Sequence, residues 1–193
     1  MTKNTPNLSN LSQGATEGGP GPVGMTPRPG QIICGDIGMR IDKNGVWFYQ
    51  DSAIERKALV KLFSTVLRRD GAGEHWLITP AEMARIEVAD APFMAVELLR
   101  DGDGEDQAIS FRTNVDNIVI VDGDHPLRVE INSETGEPSP YVVLDGGLEA
   151  KLNRAVYYEL VSLGVEEQVG DEHIYGIWSR GDFFTIGPLQ ESS

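Results

Sequence analysis

The sequence is short of sulfur, of histidine and of long apolar runs. Its single cysteine among 193 residues, Cys34, excludes an internal disulfide framework. No stretch is long and apolar enough to span a bilayer, and the N-terminus lacks a charged segment leading into an apolar one. The expectation is a soluble cytoplasmic protein with no membrane partner. The three histidines, His75, His125 and His173, sit in no HExxH-type spacing. There is no GxSxG, no P-loop and no GxGxxG opening a helix after a strand. No catalytic residue, metal ligand set or cofactor can be named, so a non-enzymatic role is favoured. Basic residues are also scarce: 16 Lys+Arg face 30 Asp+Glu, a net charge of -14. That balance argues against nucleic acid, which is held through its phosphates, and against an anionic membrane surface.

The charge is uneven. Residues 31–100 carry ten acids and nine bases, whereas residues 101–193 carry nineteen acids and five bases. The five are Arg112, Arg128, Lys151, Arg154 and Arg180. Such asymmetry suggests two units with different surfaces. The 40% hydrophobic content is enough for each to bury a core.

Residues 1–30, rich in Pro, Gly, Ser, Thr and Asn, read as a disordered tail. An N-terminal α+β unit over 31–100 and a C-terminal α+β unit over 101–193 follow. In the first, Met39–Ile41 and Val46–Tyr49 flank a Lys43-Asn44-Gly45 turn and form a hairpin. Ser52-Ala53-Ile54-Glu55 has the form of a capping box opening a helix with Leu59, Leu62 and Phe63 on its apolar stripe. Glu74–Ile78 is a strand, Thr79-Pro80-Ala81-Glu82 a second capping box opening a short helix, and Ile86–Val88 a strand. The second half repeats the order. Arg128–Ile131 and Tyr141–Leu144 flank a turn, Asp145-Gly146-Gly147 opens a helix, and Glu172–Tyr175 is a strand. Hairpin, helix and Glu-His strand thus occur twice. Short connections imply mostly antiparallel strands.

Two segments resemble metal motifs. Asp101-Gly102-Asp103-Gly104-Glu105 begins like a calcium loop, but Asp106 and Arg112 stand where that loop needs Gly and a bidentate Glu. Asp122-Gly123-Asp124-His125 gathers two carboxylates and an imidazole, but no further ligand set is identifiable and an Asp-capped β-turn is the better account. Cys34 has no histidine placed beside it by sequence and reads as a small apolar residue. Trp47 and Tyr49 face opposite Val46 and Phe48, so their strand is either covered on both faces or lines a groove.

Gly35–Ile41, Trp47–Tyr49, Lys57–Ser64, Ile86–Phe93, Phe111–Asp116, His125–Arg128 and Tyr141–Ala150 resemble blocks of the domain-of-unknown-function 1285 family of proteobacterial proteins. The likeness spans roughly 33–188. It implies a two-part α+β fold with repeated motifs, a C-terminal part loosely similar to pleckstrin-homology folds, and a ligand site where the parts meet. It also implies a role in signal transduction, and it brings no catalytic residue.

The reading that follows is a cytoplasmic ligand-binding or regulatory module for a nucleotide-like anionic small molecule. Tyr49 and Phe93 would stack on a base, while Arg112, Thr113, Asn114 and Arg128 would hold phosphate or ribose oxygens, unless Arg112 and Arg128 instead pair with the many acids near them, which the sequence favours slightly. Arg56, in the first turn of the first helix, is a further anion ligand. The alternative is a protein–protein scaffold whose acidic C-terminal unit docks a basic partner.

Overall fold

Strand-forming runs joined by short turns dominate the computed structural model, which describes residues 20–169 and 172–188. The chain divides into two units between Pro92 and Phe93. In the first, β1 (Ile32–Ile41), β2 (Trp47–Tyr49) and β3 (Ser52–Ala53) form an antiparallel meander. Helix α1 (Lys57–Val66) leads to a second meander of β4 (Leu67–Arg69), β5 (His75–Ile78) and β6 (Glu82–Val88). A parallel pairing of β1 with β6 joins the two into one sheet, ordered β3-β2-β1-β6-β5-β4.

The second unit repeats that plan. Its strands are β7 (Phe93–Asp101), β8 (Ala108–Thr113), β9 (Ile118–Ile120), β10 (Leu127–Ile131), β11 (Pro138–Val143) and β12 (Glu149–Leu152). They are ordered β10-β11-β12-β7-β8-β9, with β7 and β12 parallel. Counted within each sheet, both orders are third, second, first, sixth, fifth, fourth. Helix α2 (Arg154–Ser162) and an antiparallel sheet of β13 (Val165–Val169), β14 (Glu172–Ser179) and β15 (Asp182–Pro188) complete the unit. Meander, helix, meander therefore occurs twice, at β1–β6 and β10–β15. The Glu-His pairs begin or precede the middle strand of each final meander, β5 and β14. The molecule is a mixed α+β protein with two helices among the described residues, mostly sheet.

Three expected helix starts are displaced. Ser52 and Ala53 pair with Tyr49 and Phe48, so α1 begins only at Lys57 and Arg56 supplies no side-chain cap. The hydroxyl of Thr79 accepts the Glu82 amide at 3.0 Å, as a cap would. Yet the Thr79 amide donates back to the Glu82 carbonyl at 2.8 Å, and a hairpin forms instead of a helix. Asp145–Gly147 is a 3-10 turn whose glycines have φ of 68° and 72°. Strand β12 follows it, and α2 starts at Arg154, where the Asn153 side chain accepts the Val156 amide at 2.9 Å. The unit junction expected at 100/101 lies inside β7, because the charge change follows surface loops and not the chain's division. Of the expected tail, residues 1–19 lie outside the described residues.

Packing follows the i, i+4 rule. Leu59 and Phe63 of α1 are buried, and Phe63 stacks on Trp47 with ring centres 6.1 Å apart. In α2, Val156 and Leu160 are the buried pair. Within the second unit, buried Ser179 of β14 accepts the Ile109 amide at 3.0 Å and donates to the Val121 carbonyl at 2.7 Å. The small sheet is thereby tied to β8 and to the residue after β9.

Three hairpin loops share one hydrogen-bond plan. In Asp42–Val46, Asp70–Glu74 and Thr113–Asn117 the first amide donates to the fifth carbonyl, and the fourth amide donates to the first carbonyl. The first side chain accepts the fifth amide: Asp42 from Val46, Asp70 from Glu74, Thr113 from Asn117. The fourth residue takes positive φ, at 72° for Gly45, 87° for Gly73 and 63° for Asp116. Asp70 does more than the others. Its carboxylate, buried at 8% exposure, also accepts the amides of Val23 and Ala72 at 2.9 Å and the Trp76 indole at 3.1 Å. The Gly71 amide returns a 2.9 Å bond to the Val23 carbonyl, so this loop holds the segment ahead of β1.

Burial pushes the Asp70 carboxyl up, and the Val23, Glu74 and Ala72 amides with the Trp76 indole outweigh it, leaving it below its ordinary 3.8. A depressed carboxylate stabilises the fold above 3.8 and loses that contribution as pH falls through its lower folded value. Asp70→Ala strands three amides and an indole, and is expected to cost about 3 kcal/mol in urea unfolding at neutral pH. The difference from the parent should shrink toward the acid limb. A pH-independent difference would show that the carboxylate's charge is irrelevant.

Candidate functional site

The residues expected to hold an anion are divided between the two units, and within the second unit they lie on separate strands. Arg112, Thr113 and Asn114 end β8 and open the Thr113–Asn117 loop, and Phe93 starts the neighbouring β7. Arg128 lies on edge strand β10, with β11, β12 and β7 between it and β8. Tyr49, half-buried on β2, and Arg56, exposed ahead of α1, belong to the first unit.

Cross-strand register explains the first group. Arg112 stands opposite Glu97 and its Nε donates to Glu97 Oε2 at 2.5 Å. A second guanidinium nitrogen donates to Asp116 Oδ1 at 3.1 Å. The bond to Glu97 is the main reason the guanidinium holds its proton more tightly than usual. The Thr113 hydroxyl, fully buried, accepts the Asn117 amide at 3.1 Å. Asn114 exchanges two bonds with Met94: its amide donates to the Met94 carbonyl at 2.8 Å, and its Oδ1 accepts the Met94 amide at 3.2 Å. Phe93 is buried at 3% exposure. This corner is a closed network in which the Arg112 side chain is still 36% exposed.

Arg128 repeats the pattern. Its Nε donates to Glu149 at 2.9 Å, another nitrogen donates to Glu130, and its guanidinium lies 4.5 Å over the ring of Tyr141, its register partner. Lys151 Nζ sits 5.4 Å from the same ring, and Arg154 lies 5.3 Å over Tyr158. Four of the five bases of residues 101–193 are thus engaged by carboxylates or rings of their own unit. The local acids that meet Arg112 and Arg128 are Glu97, Asp116, Glu130 and Glu149. The i, i+2 spacing of Arg128 and Glu130 on a strand was the available signal, since such residues share a face.

In the first unit the aromatic strand is divided. Trp47 is core, its Nε1 without a partner, while half-buried Phe48 carries the Arg40 guanidinium 4.0 Å above its ring. His75 sits opposite Arg69, and burial, then the Arg69 charge, push it down to about 4 against the pull of Asp70. Asp122 Oδ1 accepts the amides of Asp124 and His125 and faces His125 Nδ1 at 3.2 Å, the geometry of an aspartate-capped turn. Among the described residues no three His, Cys, Asp or Glu side chains gather to hold a metal. Among them, too, no helix is long and apolar enough to cross a membrane.

The class these features define is a two-unit, sheet-rich α+β protein. The model of the DUF1285 N-terminal domain, a domain of unknown function, matches residues 28–91, and that of the DUF1285 C-terminal domain matches residues 92–186. The chain belongs to the DUF1285 family. It is similar to the crystal structure of a DUF1285 family protein from Silicibacter pomeroyi DSS-3, with 38% identity and a TM-score of 0.75. That match covers 87% of this chain and 91% of the other. A DUF1285 family protein from Shewanella baltica OS155 shares 27% identity at a TM-score of 0.51, over 65% of this chain and 91% of its own. A comparison with curated proteins finds no match.

Asp116 occupies the position where the two sister loops place glycine. Asp116→Gly should therefore change stability by less than about 1 kcal/mol, since glycine accepts that backbone freely, whereas Asp116→Val should lose more than about 1 kcal/mol. Thermal unfolding of the two variants measures this. Equal losses in both would mean that the carboxylate, not the backbone, sets the residue.

Proposed function

We propose that this protein is a non-catalytic interaction module whose acidic second unit docks a basic protein partner. The observation that carries this reading is the internal engagement of Arg112, Arg128, Lys151 and Arg154. With those cations engaged internally, the excess of nineteen acids over five bases in residues 101–193 is left without cations of its own to balance it. Such a field steers and orients a basic surface, and its effect falls with salt. A role in signal transduction within the cytoplasm belongs with this reading, which the single buried thiol of Cys34 suits. A loose kinship of the second unit to pleckstrin-homology folds is part of the proposal, supported by its mainly antiparallel strands followed by α2.

The test is a pull-down with the whole protein at low and high salt. Partners that are basic, that elute as salt rises, and that are lost when Glu134 and Glu137 are reversed to lysine support docking. Salt-independent capture overturns it.

A second reading keeps the nucleotide-like anion, favoured by one observation: the Arg112 side chain is 36% exposed despite its two carboxylates, so an anion can still reach it. In that reading a nucleotide panel raises the melting temperature, and Arg112→Ala removes the rise. A rise unchanged in Arg112→Ala would remove the residue from the site.

A further inference from the structure

The second unit carries a groove that none of the expected site residues lines. It has a volume of about 410 Å³ and lies between β10 and β15. Leu127, Val129 and Ile131 of β10 form one wall, and Phe183, Thr185 and Gly187 of β15 contribute to the other. The three β10 residues alternate along the strand and so project to one face. Ile131 is 48% exposed, a large apolar side chain left uncovered at an edge.

The outer edge of β10 carries no ladder among the described residues, although β15 lies beside it. β10 ends one sheet and β15 ends another, and no ladder joins them among the described residues. The Val143 amide donates to the Pro126 carbonyl at 3.0 Å and the Asn132 amide to the Glu137 carbonyl at 2.9 Å. Those bonds fix the even-numbered residues of β10 as the ones turned toward β11. The backbone groups of Leu127, Val129 and Ile131 are then turned to the open side. Pro140 and Pro138 confirm the parity: they stand opposite Val129 and Ile131, where β11 needs no donor toward β10.

Acids sit at both ends of this edge. Asp122 and Asp124 lie in the loop before β10, and Asp182, whose carboxylate approaches Gly123, starts β15. Glu130, Glu134 and Glu137 lie at and beyond the far end. An apolar, open-edged groove with acid at each end complements an extended segment with apolar side chains at alternate positions and basic residues at both flanks.

We infer that β10 binds such a segment of a partner protein by strand addition, its apolar side chains entering the groove and its backbone pairing with Leu127, Val129 and Ile131. The inference rests on the proposed docking of a basic partner, and it names the surface and the form of that partner.

The experiment uses two labelled peptides and the whole protein, read by fluorescence anisotropy. One peptide alternates valine and threonine between lysine pairs; in the other, threonine replaces every valine. The valine peptide is expected to bind about tenfold or more tightly than its threonine counterpart. Ile131→Asp, at an exposed position that folding tolerates, should abolish that advantage, and Val129→Pro should weaken the valine peptide about tenfold by removing an edge donor. High salt should weaken both peptides. Equal, salt-sensitive binding of the two peptides leaves docking standing and overturns the groove. Salt-independent binding, or none by either, overturns both. Sedimentation of the protein alone that shows a dimer dissolved by Ile131→Asp would assign the groove to a second copy and overturn the inference.

Discussion

Each six-stranded sheet depends on one parallel pairing. The meanders are local and antiparallel, and each is closed by short loops. Nothing local, however, joins one meander to the next. That junction is made by β1 with β6 in the first unit and by β7 with β12 in the second, strands far apart in sequence. Because first and last strands meet in the centre, the remaining order is forced outward, and the third and fourth strands become edges. In the first unit α1 connects those two edge strands, β3 and β4. In the second, six residues run from β9 to β10 with no helix, and α2 comes only after the sheet is complete. β10 therefore stays at an edge, with β15 as its neighbour and not its ladder partner. The groove is a consequence of that connectivity.

The recurring loop gives the antiparallel parts their register. An acceptor side chain at the first position and positive φ at the fourth close a loop of defined length, and a one-residue slip would turn each apolar face outward. At Asp42–Val46, where Gly45 fills the fourth position, the loop is only a turn. At Thr113–Asn117 the fourth position is Asp116, which holds the turn and also reaches Arg112. The backbone there carries strain that the sister loops avoid, and the gain is an ion pair fixing the end of β8. Asp70 shows the opposite extension: its loop is unstrained, and its carboxylate recruits Val23 from a distant part of the chain.

Much of the strand pattern was legible. The hairpin of β1 and β2, the second hairpin of β10 and β11, the buried i, i+4 pair of α1 and the two Glu-His strands follow from alternation and turn chemistry. The helix starts were not, for a physical reason visible at Thr79. A threonine hydroxyl that accepts an amide three residues on serves a helix cap and a tight hairpin equally, and only the pairing of β6 with β1 and β5 decides between them. The ionic partners of Arg112 escaped because Glu97 is its neighbour across a ladder, fifteen positions away in sequence. The junction between units escaped because charge reports surface, and β7 carries the last residues of the balanced segment into the acidic unit.

The placement of charge separates the two functional readings more sharply than the net value does. A nucleotide needs guanidinium groups that are free to close on phosphate. Arg112 and Arg128 would each have to exchange two carboxylates for it, in the half of the chain where carboxylates are densest. A basic peptide needs no such exchange. The same ion pairs hold the arginines flat against their sheet, one of them over Tyr141, and prevent them from repelling an incoming cation. What then faces a partner at β10 is acid at each end and exposed aliphatic surface between. Opposite charge at the flanks sets the orientation of an extended segment, and burial of Ile131 with its neighbours supplies the affinity that a salt-screened field alone does not. The acidity and the open edge of the second unit are in this sense parts of one surface.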